Sequence, residues 1–325
     1  MSQLLPSEAL ASRAISALKL PNFLIIGAAK SGTTSLYHYL NDHPDIFMPT
    51  IKETNFFLGG GAKATREIGL DGSTREISRA STLTDYSALF ESATTEKARG
   101  EASPKYLYYP GTAERIKAAV PDVKIIAVLR HPVERAYSAF LHHVREDQEE
   151  YTDFAAALRA EPERIARGVD PKYHYRNRGF YARQLEPYYE VFGAEQVQVY
   201  LFEELRDPLR LLRHLFGVLG IDPSFTPNVS AQHNVSGVPK NKLLHSFYSF
   251  LKTNDRNMVK ELGKRFLPEA LRHGLKGNVL RTLQKNNLSK PLLAPEVHAE
   301  LLESYEEDIL KLQNLIGRDL THWLE

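Results

Sequence analysis

"NFLIIGAAKSGTTSLYHYL", Asn22 to Leu40, is the stretch that decides the fold. Asn22–Gly27 reads as a buried strand, an apolar run too short for a helix and closed by a glycine. The chain then turns through Gly27 and Gly32 into a helix expected from about Thr33 to Leu40. Such a turn gathers free backbone N–H groups around one concavity, at the positive end of the helix dipole. The glycine spacing is that of a nucleotide-binding P-loop, Gly-x-x-x-x-Gly-Lys-Ser/Thr. The lysine, however, is displaced. Thr33 fills the lysine slot, and Lys30, inside the loop, carries its only full charge. Ser31, Thr33, Thr34 and Ser35 add hydroxyl groups. A plain strand–turn–helix would not need so many donors, so the run predicts an anion site.

Working outward, short apolar runs alternate with helical patterns. This predicts an α/β, P-loop-containing three-layer fold with a central, mainly parallel sheet flanked by helices. Further strands are expected at Ala98–Ser103, Val123–Arg130 and Gln196–Leu205. Helices are expected at about Thr112–Ala119, Pro132–Leu141, Phe180–Phe192, Pro208–Leu219 and Pro295–Leu315. The expected organisation is an N-terminal extension, 1–20, and one domain, 21–325, with insertions near 59–84 and 145–178. Those insertions are placed over the edge or mouth of the sheet.

At 325 residues and 42% hydrophobic, the chain can bury a substantial core. A formal charge of +1 gives no global basic field for nucleic acid. The absence of cysteine excludes disulfides, thiolate catalysis and Cys-ligated metal, and fits a reducing compartment. The N-terminal 23 residues, "MSQLLPSEALASRAISALKLPNF", contain no run long enough to span a bilayer and suit a short amphipathic helix. A cytoplasmic protein without a membrane span is the expectation.

Missing features narrow the anion. A nucleoside triphosphatase holds its divalent ion with a strand-end Asp as well as the loop Ser/Thr. Here the strongest strand, "KIIAVLR", ends in Arg130 with no acidic residue beside it. An arginine in the crevice at the carboxyl end of a parallel strand suits a second phosphate. Ser138, about two helical turns on, can share that anion. No His/Asp/Glu cluster has metal-ligand spacing and no Gly-x-Ser-x-Gly elbow occurs, so no metal is expected. The pattern describes a nucleotide with phosphate at two separate positions.

"KSGTTSLYHYLNDHP" with "IKETNFF", and then "VLRHPVERAYSAF", closely resemble the two cofactor signatures of the sulfotransferases that use 3′-phosphoadenosine 5′-phosphosulfate (PAPS). The nearest flavour is the carbohydrate type that contains the heparan sulfate sulfotransferases, here as a soluble, bacterial-type member. Softer similarities run through "GEASPKYL", "RGFYARQLEPYYEVFG" and "IGRDLTHW". The resemblance implies that Lys30, Ser31, Gly32, Thr33, Thr34 and Ser35 wrap the 5′-phosphosulfate, and that Arg130 and Ser138 hold the 3′-phosphate. It makes Ser236, Gly237 and Lys240, in "HNVSGVPKNK", candidates for a loop closing over the nucleotide. It also implies sulfuryl transfer to a hydroxyl of a saccharide or small-molecule acceptor, with Lys30 stabilising the departing phosphate and Glu53 as base. One departure stands out. Where heparan-type members commonly carry a lysine after the glutamate of "GEASPKYL", this chain has Ala102, with Lys105 three residues on.

Rival readings remain on the residues themselves. Glu53 also reads as a solvated loop carboxylate paired with Lys52. His43, His131 and Glu101 are alternative bases, with His43 in a turn, His131 packing beside Arg130, and Glu101 holding its loop through hydrogen bonds. The run "RIARGVDPKYHYRNRG", Arg164 to Gly179, reads more as a solvated charged loop than as a grip on an anionic acceptor. Tyr106, Tyr108, Tyr109, Tyr173, Tyr175 and Tyr181 could floor an acceptor site, whereas Tyr188 and Tyr189 read as packing residues. A P-loop kinase using ATP and a non-catalytic nucleotide-binding protein are the alternative functions.

Overall fold

The structure is a computed structural model that describes residues 18–59, 66–78, 80–229, 238–239, 288–289 and 291–325. The expected N-terminal amphipathic helix, and Ser236, Gly237 and Lys240, lie outside the described residues. In chain order the elements begin with β1 (Phe23–Gly27), α1 (Thr33–Asn41), β2 (Ile46–Phe47), β3 (Arg66–Ile68), β4 (Thr74–Glu76), α2 (Leu83–Ala88) and β5 (Ala98–Ala102). They continue with α3 (Thr112–Ala119), β6 (Lys124–Leu129), α4 (Pro132–Arg145), α5 (Phe154–Ala166), α6 (Tyr181–Phe192), β7 (Val197–Leu201) and α7 (Pro208–Leu219). The short strands β8 (Val238–Pro239) and β9 (Leu288–Ser289) precede the long closing helix α8 (Pro295–Ile316).

Five strands form one parallel sheet in the order β2-β5-β1-β6-β7. Parallel strands need helical crossovers, which cover both faces, so the central strands are apolar throughout rather than alternating. The two faces still divide by the period of two. Leu24, Ile26, Ile125, Ala127 and Leu129 enter one core; Phe23, Ile25, Ile126 and Val128 enter the other. The first core is closed by α3, α4, α6 and α8, the second by α1 and α7. This is the expected α/β layering, with β1 and β6 adjacent, so their carboxyl ends open side by side.

The strand expected over Gln196–Leu205 is shorter. β7 stops at Leu201 because the Glu204 carboxylate accepts the Leu201 N–H (2.6 Å), and Phe202–Arg206 coils into a 3-10 turn. The helix expected to end at Leu141 runs on to Arg145. Two-residue β2 was not anticipated, being too short for any periodicity to show.

Candidate active site

The loop between β1 and α1 is shaped by what its glycines permit. Gly32 has φ +87° and is the N-cap of α1; a Cβ there would also meet Leu205 at 2.3 Å. A side chain would thus be strained twice over. No side chain caps α1, which leaves the first-turn N–H groups of Thr33, Thr34 and Ser35 for a ligand. Lys30, at φ 71°, is half-buried and is held well below the ordinary lysine value, at about 8. Burial is the main cause, and the positive charges of Arg145 and Arg130 add to it. Glu146 and Glu53 offset this only in part, so the loop keeps a net positive bias.

Arg130 follows β6 and leads into α4, whose first turn is set by Pro132. Its carbonyl accepts from the buried Tyr181 hydroxyl (2.9 Å), and its guanidinium lies over the Phe202 ring, 4.6 Å from the centroid. The expectation of no acid beside Arg130 is corrected here. Glu134, one helical turn on, accepts from Arg130 Nε (3.1 Å) and Nη2 (2.6 Å). Nη1 keeps only a long contact, 3.5 Å, to the Lys30 carbonyl. The carboxylate aims the guanidinium and leaves one edge of its fork turned toward the loop.

Glu53 arrives from the opposite side. Its N–H donates to the Ala102 carbonyl at the end of β5 (3.1 Å), and its φ of 59° puts it in the left-handed region. Four non-glycine residues among those described are left-handed: Lys30, Glu53, Asn55 and Asp147. Two of them are the residues expected to do chemistry, a coincidence that strained backbone often shows at functional sites. "NFF" anchors this loop. Asn55 N–H donates to Ser103 Oγ (3.0 Å), and the Phe56 ring stacks on Tyr86 at 4.5 Å. Ser103 Oγ in turn donates to Glu101, which is fully buried and whose pKa burial pushes up to about 7. Lys52 Nζ donates both to Glu53 Oε1 (3.0 Å) and to Thr34 Oγ1 (3.0 Å), clipping the Glu53 loop to the glycine loop. The Lys52 pairing is therefore present, with the Glu53 side chain 45% exposed where it lines the cleft.

These pieces share one cleft of about 680 Å³. Lys30, Gly32, Thr33, Thr34, Ser35, Glu53, Arg130 and Ser138 all line it. Ser31 does not: it is fully buried under the loop, beside the Tyr181 hydroxyl. His43 is remote, packed on Phe216 and Phe225 with Nε2 at 3.0 Å from the Asp222 carbonyl. His131 is spent on the Trp323 carbonyl (3.0 Å). Ala102 is buried in the sheet, whereas Lys105 reaches the cleft wall.

The reading of Arg164–Gly179 as a solvated loop is also corrected. Arg164, Asp170, Tyr173, His174, Tyr175 and Arg178 are all buried. Arg164 lies in α5 and forks onto Glu149 (2.5 and 3.1 Å), and Tyr175 donates to the same carboxylate (2.5 Å). The charges were visible in the sequence; their distant partners were not. Lys172 and Arg178 from this stretch line the cleft, as do His142, His143, Phe202 and Leu205. Sequence reasoning missed Phe202 and Leu205 because the expected strand absorbed them.

The family model described as "Sulfotransferase family" matches residues 21–225, which include the glycine loop, Glu53, Arg130 and Ser138. The chain belongs to the sulfotransferase family. The crystal structure of a sulfotransferase from Alicyclobacillus acidocaldarius is 34% identical, with a TM-score of 0.71, covering 94% of this chain and 99% of that one. The membrane-associated sulfotransferase kil1 of Dictyostelium discoideum is 35% identical over 123 residues, 38% of this chain and 23% of that protein. Bifunctional heparan sulfate N-deacetylase/N-sulfotransferase 4 of Mus musculus is 30% identical over 219 residues, 63% of this chain. The match again spans 23% of the relative, so this sulfotransferase corresponds to about a quarter of each. None of its described helices is long and apolar enough to cross a membrane.

Proposed function

We propose that this sulfotransferase takes its sulfuryl group from PAPS and delivers it to a hydroxyl of a saccharide or small-molecule acceptor. One observation carries the reading: Lys30, the uncapped start of α1, Arg130, Ser138 and Glu53 open on a single cleft. The wall chemistry fits a doubly anionic nucleotide. The first-turn N–H groups, hydroxyls and Lys30 gather at the glycine loop, and a guanidinium and a serine sit beyond them. Phe202, stacked on Arg130, offers an aromatic face for the base.

In the proposed step, the acceptor oxygen attacks sulfur and Glu53 takes its proton as the new S–O bond forms. The S–O bond to the 5′-phosphate breaks, and the Lys30 ammonium offsets the charge left on the departing phosphate oxygen. Lys52, bonded to both Glu53 and Thr34, keeps the base in register with the loop. The similarity to the mouse bifunctional heparan sulfate N-deacetylase/N-sulfotransferase supports sugar among the acceptor classes.

Calorimetry with 3′,5′-ADP (PAP) and with ATP, both in EDTA, tests the donor assignment. Tight, metal-independent PAP binding is expected; a preference for ATP with Mg²⁺ would end it.

A further inference from the structure

Arg178 is the outlier of the cleft. It is only 8% exposed, yet among the described residues its guanidinium makes no hydrogen bond and no ion pair. It lies over the Tyr108 ring, 5.7 Å from the centroid, and feels the Asp170 carboxylate only from beyond ion-pair distance. Tyr108 itself is fixed, its hydroxyl bonded to His174 Nδ1 (2.9 Å) and accepting from Asn177 Nδ2 (3.0 Å). The guanidinium is therefore buried, held, and turned onto the cleft wall without a carboxylate. Desolvating a charge without pairing it is costly, so such a group is normally completed by a ligand.

The acids in its surroundings are shared with other cations. Lys105 and Lys172 line the same wall, and Arg75 stands behind them. These cations share two buried carboxylates, Glu67 and Asp170. Lys105 pairs with Glu67, and Lys105, Lys172 and Arg75 each approach Asp170 to 3.9 Å. Glu67 is further held by the Tyr109 hydroxyl. With Arg178 included, four cations face two acids. Burial first, then Arg75 and Lys105, depresses the Lys172 ammonium against Asp170 and Glu67; burial first, then Arg135, depresses Arg178 against Asp170, Tyr109 and Tyr108. Both directions report first that these cations are desolvated, the condition in which an added anion counts most. His143, also on the wall, is pushed down to about 2 by burial and then by His142, Lys172, Arg178 and Lys30. It feels Lys30 as well as the outer cations, so the two groups address one space.

We infer that Arg178, with Lys172 and Lys105 beside it, is the anchor of an oxyanion-binding subsite in the acceptor part of the cleft, and that the acceptor carries a carboxylate or sulfate group as well as its reacting hydroxyl. This rests on the sulfotransferase reading of the cleft and goes beyond it in naming the acceptor's chemistry. The guanidinium fork takes two oxygens of such a group at once, which sets orientation as well as affinity.

The test loads the full chain with saturating PAP to fill the nucleotide grips. It then follows thermal melting against sodium sulfate or sodium acetate, with chloride holding ionic strength constant. A saturable rise is expected with at least one probe. Saturation by sulfate alone identifies a sulfate-bearing acceptor, and saturation by acetate a carboxylate. Arg178→Gln should weaken half-saturation by about tenfold or more while PAP affinity stays within about twofold. Lys172→Gln, at a more exposed position, should weaken it less and serves if the buried variant does not fold. No saturable response in the wild type, or equal responses in wild type and both variants, overturns the subsite. Failure of PAP to bind would instead strike the donor assignment, and the difference between wild type and variants in sulfate alone would still read out Arg178.

Discussion

The two ends of the cleft are built in opposite ways. Around Lys30 and Arg130 the groups come from two short contiguous runs, each hung on the end of a central strand. Around Arg178 they come from residues 67, 105, 170, 172 and 178, brought together in part because Ile68 bridges Val169 and Asp170 N–H donates to the Ile68 carbonyl (2.7 Å). Near the strands, sheet geometry fixes the donors. At the outer end, side-chain contacts do so: ion pairs for Lys105 and Lys172, the Tyr108 ring for Arg178. The first kind of site tolerates little change in sequence, whereas the second can be retuned one residue at a time.

The sharpest way to break this contrast is through the proposed base. Glu53→Gln is expected to lower the rate of transfer from PAPS by about 10²–10⁴-fold while PAP affinity stays nearly unchanged. Measured turnover equal to wild type would take Glu53 out of the chemistry and leave the strand-end grips intact. Next in size, Arg130→Ala should cost PAP about 1.5–3 kcal/mol, the worth of a charge-assisted bond, and 5′-AMP far less. Glu134, 52% exposed, can be rehydrated when its partner goes, so the loss should report the phosphate. Equal losses for both nucleotides in a titration would move the 3′-phosphate elsewhere.

The smallest effect is a proton count. Lys30 sits near 8 rather than at the usual 10.5, so above pH 8 much of it is neutral in the free protein. An anion in the loop favours the charged form, so PAP binding should take up a proton, approaching one per site at about pH 9, and affinity should fall as pH rises through 8. The sign for stability is the reverse of a stabilising pair. A folded-state value below the unfolded one means the charged lysine costs stability below about 8, a cost that fades as pH rises toward 10.5. Calorimetry in buffers of different ionisation enthalpy measures the uptake; none at pH 9 would mean Lys30 does not meet the anion.

The same contrast explains what could be read from the sequence. Layering, the strands β1 and β6 and the glycine loop rest on periodicity and on φ requirements, which are local, and so "NFLIIG" and "KIIAVLR" announced them. Glu134 under Arg130 was also local, four residues on, but invisible without knowing that the arginine side chain folds back along α4. Arg164, Tyr175 and Arg178 looked like solvated charge because their partners, Glu149 and Tyr108, lie 15 to 70 positions away in the chain. A charge run says nothing of its counter-ions until the chain is folded.

The bridge between Ile68 and Val169 has an evolutionary consequence. It couples the β3–β4 ribbon ahead of β5 to the segment that follows α5, so neither can be exchanged alone without stranding Glu67 or Asp170. Transplanted together onto a related scaffold, the two should travel as one cassette, carrying substrate choice with them while the catalytic engine beneath stays as it was.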